Sequence, residues 1–141
     1  MTRCSDVMTR NPVVSVASDT VDHIARLMKA EDIGPVPIVQ DKNSKKLIGI
    51  VTDRDLVVKV VAEGRDPRST RVEEVMTRDP VACRESDDLK KALDAMSKHQ
   101  VRRIPVVDDN DKLIGIIAQA DVATHEDAKT TGKVVEDISK P

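Results

Sequence analysis

At 141 residues, 39% hydrophobic and 34% charged, the chain has the length of about one domain and enough apolar side chains to bury a core without staples. Its 23 basic and 25 acidic residues give a net charge of -2, which argues against a polycation for nucleic acid or membranes, and no apolar run approaches the roughly 20 residues of a membrane span. Phe, Tyr and Trp are all absent, so the aromatic platforms that stack single-stranded bases are missing and nucleic-acid binding is not expected.

The first six residues, Met1 to Asp6, contain no apolar signal core, which makes the cytoplasm the expected location. Cys4 and Cys83 stand far apart in sequence and belong to no ligand-spaced cluster, and His23, His99 and His125 form no metal pattern. A disulfide requires that the fold bring the two cysteines together, and a reducing compartment opposes it. No metal site is expected.

One unit is written twice. Val7-Met8-Thr9-Arg10-Asn11-Pro12-Val13 matches Val75-Met76-Thr77-Arg78-Asp79-Pro80-Val81 at six of seven positions. The correspondence continues through Ser18-Asp19 and Ser86-Asp87, Met28 and Met96, and Pro37-Ile38-Val39 and Pro105-Val106-Val107. By Leu47 and Leu113 the first copy has gained two residues in its Asp41–Lys46 turn. Such a tandem repeat takes priority over any single-element reading.

In each copy a turn at Asn11-Pro12 or Asp79-Pro80 precedes a short predicted strand, Val13–Val16 or Val81–Cys83. Ser18 and Ser86 are suited to cap the helices that follow. Val21, Ile24, Leu27 and Met28 form one apolar stripe, and Leu89, Ala92, Leu93 and Met96 the other; both read as core. Two predicted strands come next, Val36–Val39 with Leu47–Val51 and Ile104–Val107 with Leu113–Ile117. A further helix begins near Asp53, with Leu56, Val57, Val60 and Val61 as its apolar face and Gly64 as its stop. The first repeat is assigned to residues 1–66, a linker to 67–70, the second repeat to 71–126, and a C-terminal tail or short helix to 127–141.

The duplicated strand–helix–strand–strand–helix unit, led by V-M-T-x-[ND]-P-V and closed by G-[IV]-[IV]-T-x-x-D in its first copy, resembles a pair of CBS repeats. Thr52-Asp53-Arg54-Asp55-Leu56, Gly64-Arg65-Asp66-Pro67 and Val101-Arg102-Arg103-Ile104-Pro105 are similar to stand-alone bacterial CBS-pair proteins of the hypoxic-response type. The resemblance implies a mixed α/β fold, two tandem β-α-β-β-α repeats packed through their sheets with pseudo-two-fold symmetry. It also implies a homodimer and clefts that take adenosine-containing ligands: AMP, ADP or ATP, with NAD or S-adenosylmethionine as further candidates. No cofactor is required. The expected function is a non-catalytic sensor that signals to a separate effector protein, with no enzyme or transporter domain expected to be attached. The competing reading is a ligand-independent dimerisation module whose clefts are vestigial. No Gly-rich phosphate loop or nucleophile–base pair points to an enzyme.

Two motifs carry the expected chemistry. Thr52-x-x-Asp55 has the form of a capping box, worth about 1 kcal/mol to a helix start. In the second copy Ala118 replaces the Thr while Asp121 persists, which suggests that the carboxylate has a task besides capping. The resemblance assigns Asp55 and Asp121 to ribose hydroxyls. It also brings Arg102 and Arg103, where the first copy has Gly34-Pro35, to the phosphate of the ligand held by the facing repeat. An arginine pair is otherwise a solvated face; guanidinium suits phosphate because its donors are planar and paired. The main site is thus expected to comprise Thr52, Asp55, Arg102, Arg103, Val13, Val14, Val36 and Pro37. A second, weaker site comprises Asp121, Val81, Ala82, Ile104 and Gly34.

Overall fold

Short apolar runs and one amphipathic helix per repeat generate the same layered pattern twice. The computed structural model describes residues 1–123; the tail or short helix expected over 127–141 lies outside the described residues. The chain divides into one unit of Val13–Pro80 and another that joins Met1–Pro12 to Val81 onward.

In the Val13–Pro80 unit, β2 (Ser15–Val16) leads into α2 (Val21–Glu31), followed by β3 (Val36–Val39), β4 (Leu47–Val51) and α3 (Asp53–Leu56). A π-helical turn (Val57–Val61) and a 3-10 turn (Val72–Glu74) precede β5 (Thr77–Arg78). The sheet runs β2-β3-β4-β5, with β2 parallel to β3 and the other pairs antiparallel. Val21, Ile24 and Met28 of α2 pack on Val36, Ile38, Val51 and Val60, as the helical stripe predicts.

The other unit repeats the plan. It begins with α1 (Cys4–Val7) and β1 (Thr9–Arg10), then resumes with β6 (Cys83–Arg84), α4 (Leu89–His99), β7 (Arg103–Val107), β8 (Leu113–Ala118) and α5 (Gln119–Ala123). Its sheet order is β1-β8-β7-β6, with β6 parallel to β7. Leu89, Ala92, Leu93 and Met96 of α4 face Ile104, Val106 and Ile117 in its core.

The sheet pairings show what the repeat boundaries do not: each lead-in segment is exchanged. The Met-Thr-Arg segment before the first repeat closes the second repeat's sheet, where Thr9 faces Ile116 and Arg10 faces Gly115. The matching segment before the second repeat closes the first, with Gly49 opposite Arg78 and Ile50 opposite Thr77. Glycine is required at both crossings. A Cβ at Gly49 falls 2.7 Å from Met76 Sδ and 3.0 Å from the Thr77 carbonyl, and one at Gly115 falls 2.6 Å from Met8 Sδ. Residues 67–70, read from sequence as a linker, are docked: Val21 N–H donates to the Thr70 carbonyl (2.8 Å) and Asp22 N–H to the Pro67 carbonyl (2.9 Å). Those carbonyls satisfy donors that a helix start leaves without intrahelical partners. Thr2 serves α4 in the same way, through Leu89 N–H at 2.8 Å.

Two local expectations are corrected. The helix caps are Thr20 and Asp88, not Ser18 and Ser86; Thr20 Oγ1 accepts from His23 N–H and Asp88 from Lys90 N–H. Asp19 and Asp87 are turned back onto Val16 N–H and Arg84 N–H, which places the two serines in the turn before each helix. Pro37 and Pro105 lie in the middle strands β3 and β7. This is tolerated because β2 pairs only Ile38 and Val39, and β6 only Val106 and Val107, so each proline lies beyond the end of its parallel neighbour. Of the apolar face expected over Leu56–Val61, only Val60 is buried. Leu56 is half-buried, whereas Val57, Val58 and Val61 are 59%, 46% and 72% exposed. The hydrogen bond from Ala62 N–H to the Val57 carbonyl spans five residues, so this turn is wider than an α-helix and presents a different face.

Candidate ligand-binding junctions

Each unit delivers a buried strand directly into a helix start, and the polar residues cluster where strand ends and helix begins. In the Val13–Pro80 unit, β4 ends at the buried Val51 and the chain turns at Thr52 in extended conformation. Thr52 N–H donates to Asp55 Oδ2 at 2.9 Å, and Asp55 N–H donates to Thr52 Oγ1 at 3.3 Å. The Thr52 hydroxyl also donates to Asp55 Oδ2 at 3.2 Å. Thr52 and Asp55 therefore form the reciprocal cap that their spacing predicts.

Lys59 completes this junction, and the sequence reading missed it. Its ammonium lies 3.2 Å from Asp55 Oδ1 and donates to the Val75 carbonyl at 2.8 Å. Acid and base four residues apart on a helical segment was the available signal. An ionised carboxylate offers about four acceptor positions. Oδ2 already receives two bonds from Thr52 and Oδ1 receives one from Lys59, so the remaining acceptor capacity of the half-buried Asp55 is on Oδ1.

The start of β3 converges on the same helix start. A Cβ at Gly34 falls 3.3 Å from Asp53 Oδ1, so the backbone there passes close to the Asp53 carboxylate. Gly34, assigned from sequence to the weaker site, accordingly stands in the same unit as Thr52 and Asp55. Val36 and Pro37 are buried, and Val36 packs with Val21, Ile24 and Ile38. Val13 and Val14 are half-buried in the run before β2.

The second junction keeps one arm of the cap. Ala118 N–H donates to Asp121 Oδ2 at 2.9 Å, the counterpart of the Thr52–Asp55 bond, while the hydroxyl arm is lost with the threonine. Retention of Asp121 therefore has a capping explanation of its own, contrary to the inference drawn from the missing threonine. Arg102 and Arg103 lie beside this junction: the Arg102 carbonyl accepts from Gln119 N–H at 3.0 Å, and Arg103 pairs with Ala118 across β7 and β8. Both side chains are exposed, and among the described residues no carboxylate pairs with either guanidinium. Ile104 is fully buried against Leu89, Met96 and Ile117; Val81 is half-buried and Ala82 exposed. The counterpart of Lys59 is His125, outside the described residues.

The preceding turn adds a second ordered carboxylate to the first unit. Asp19 accepts from the buried Ser15 hydroxyl and from Val16 N–H at 3.1 Å, with His23 Nε2 3.9 Å away. Burial pushes the Asp19 carboxyl upward, but the bonds from Ser15 and Val16, aided by His23 and Lys42, outweigh it and leave it below the usual value. Among the described residues no group of His, Cys, Asp and Glu is arranged to hold a metal, and no helix is long and apolar enough to cross a membrane.

Comparison with known proteins places these junctions in a family. The family model for the CBS domain matches residues 4–62 and 72–127. Hypoxic response protein 1 of Mycobacterium tuberculosis is 33% identical over 142 residues, spanning 100% of this chain and 96% of that protein. The crystal structure of CBSX2 in complex with AMP is similar, with 29% identity, a TM-score of 0.76 and coverage of 88% of this chain and 95% of that one. So is the CBS domain pair of protein MJ0100 in complex with 5′-methylthioadenosine and S-adenosyl-L-methionine, at 27% identity and a TM-score of 0.75, covering 88% and 94% of the two chains.

Proposed function

We propose that this chain, which belongs to the CBS domain family, is a non-catalytic regulatory module that binds an adenosine-containing ligand and passes its occupancy to a separate partner. AMP or ATP is the preferred ligand. The carrying observation is the Thr52–Asp55 junction: a half-buried carboxylate, oriented by two bonds from Thr52, with acceptor capacity left on Oδ1. A ribose hydroxyl donates to that oxygen, and the second ribose hydroxyl competes with the Lys59 ammonium. Arg102 and Arg103, exposed and with no carboxylate partner among the described residues, are the groups suited to a ligand phosphate. The Asp121 junction lacks the threonine and is the weaker site. Similar chains that hold AMP, or 5′-methylthioadenosine with S-adenosylmethionine, support an adenosyl ligand.

Signalling requires that the ligand favour one arrangement over another. The exposed Val57, Val58 and Val61 are proposed as the face against which a second copy packs. The alternative, a ligand-independent dimerisation module, is favoured by one observation: Thr52, Asp55 and Asp121 already satisfy helix-start donors without any ligand.

Calorimetric titration with AMP, ATP, NAD, S-adenosylmethionine and 5′-methylthioadenosine separates the two readings. Saturable binding of an adenosyl compound, weakened in Asp55→Ala, is expected. Heat-silent titrations across the series, with an intact dimer, would establish the alternative. Because the chain has no aromatic residue, a nucleotide retained through purification also stands out near 260 nm against a nearly blank protein spectrum.

A further inference from the structure

The fold brings together the two cysteines that the sequence keeps apart. Cys4 begins α1, and Cys83 begins β6; both are free thiols, 0% and 4% exposed, within one hydrophobic cluster. Their approach is fixed by backbone bonds. Cys4 N–H donates to the Asp87 carbonyl at 2.9 Å, Ser5 N–H donates to the Glu85 carbonyl at 3.0 Å, and Arg3 bridges Asp88. The two thiols share that cluster closely enough for each to shift the other's titration, and Cys83 points its thiol at the Pro105 carbonyl, 3.8 Å away. Neither thiol belongs to a ligand-binding junction, and the other repeat fills the two places with Val72 for Cys4 and Ser15 for Cys83, so the pair of sulfurs is particular to this repeat.

We propose that Cys4 and Cys83 form a two-electron redox site, which a hydroperoxide closes to a disulfide that fastens the N-terminal segment to the sheet of the second repeat. The roles of the two sulfurs are unequal. The hydrogen bond with Cys83 lowers the Cys4 thiol against the opposing effect of burial, whereas that same bond, burial and the nearby Cys4 sulfur raise Cys83. Cys4 also sits on α1 at the chain terminus, the segment that opens to admit the oxidant, and this position assigns it as the attacking thiolate and Cys83 as the resolving thiol. In the first step the Cys4 sulfur bonds to one peroxide oxygen and the O–O bond breaks. The departing hydroxide takes up the proton that Cys4 released and leaves as water, and Cys4 becomes a sulfenic acid. The Cys83 sulfur then attacks the Cys4 sulfur, the S–O bond breaks, and the hydroxyl leaves with the Cys83 proton as a second water. Two thiols lose two electrons and the peroxide gains them.

Because both sulfurs are buried, the oxidant reaches them when α1 lifts from its backbone bonds to Glu85 and Asp87, a local opening at a chain terminus. Once closed, the bond encircles almost the whole first repeat, so it removes much of the freedom of the unfolded chain.

The reduced full chain is treated with hydrogen peroxide in oxygen-free buffer, and thiols are counted after denaturation. The expected result is loss of both thiols, a Cys4–Cys83 cross-linked peptide within one chain, and a melting temperature raised on the order of 10 °C. Cys83→Ala should stop at a Cys4 sulfenic acid that dimedone traps, with no rise in melting temperature. If that variant does not fold, Cys83→Val serves in its place, and the wild-type peptide map decides alone. Two intact thiols after methionine oxidation, or cross-links only between chains, would overturn the proposal.

Discussion

Replacing Asp55 by alanine separates its two roles. In the free protein, Asp55→Ala removes the acceptor of Thr52 N–H (2.9 Å) and the partner of Lys59 at 3.2 Å. Loss of one arm of a cap costs about 1 kcal/mol. The Lys59 pair is partly exposed, at 43% and 17%, so screening limits it to about 0.5 kcal/mol, and Lys59 keeps the Val75 carbonyl. A loss of about 1–2 kcal/mol is therefore expected in guanidinium unfolding, with the chain still folded. The ligand loses more. A hydrogen bond from a ribose hydroxyl to a carboxylate is worth about 1.5–3 kcal/mol, or roughly a 10- to 150-fold weaker AMP affinity. Asp121→Ala provides a comparison, because it removes the same kind of backbone cap bond at 2.9 Å while leaving Thr52 and Asp55 in place. The assay is calorimetry with AMP on folded wild type and both variants. If Asp55→Ala loses stability but binds AMP within about twofold of wild type, Asp55 is a cap alone and the site assignment fails.

Lys59→Met releases Asp55 Oδ1 at a cost of about 1 kcal/mol or less, and uncharged adenosine should bind at least as tightly as to wild type; a tenfold loss would show that Lys59 contacts the ligand. Asp19, held below its ordinary value, contributes stability that is present above its unfolded value near 3.8 and lost as pH falls through its lower folded value; Asp19→Asn should flatten that part of a pH series of melts. Val61→Glu puts a charge on the exposed valine face and should shift the chain to a smaller species in sedimentation, without lowering the melting temperature of the monomer; an unchanged sedimentation coefficient would remove this face as the dimer contact.

The sequence by itself determined the duplication, the helical stripes and the strand runs, because local periodicity records which side chains must turn inward. It also determined the Thr52–Asp55 cap, which depends only on residues three apart. The tertiary structure alone decided what depends on distant partners. Val7–Val13 and Val75–Val81 look like the beginnings of their own repeats, yet each closes the other's sheet; their near-identity made the two pairings indistinguishable in sequence. Val36 and Ile104, named from sequence as site residues, are buried where α2 and α4 pack on the sheets, which only the fold shows. The loss of threonine at Ala118 hides the cap bond that Asp121 keeps, because a backbone N–H has no letter in the sequence. The same holds for Cys4 and Cys83, whose meeting depends on a lead-in segment docking across the chain. At the Thr52–Asp55 junction, the sequence supplied the carboxylate and its hydroxyl partner; the fold supplied Lys59, which takes part of Asp55 Oδ1 and makes the site one that a ligand must share.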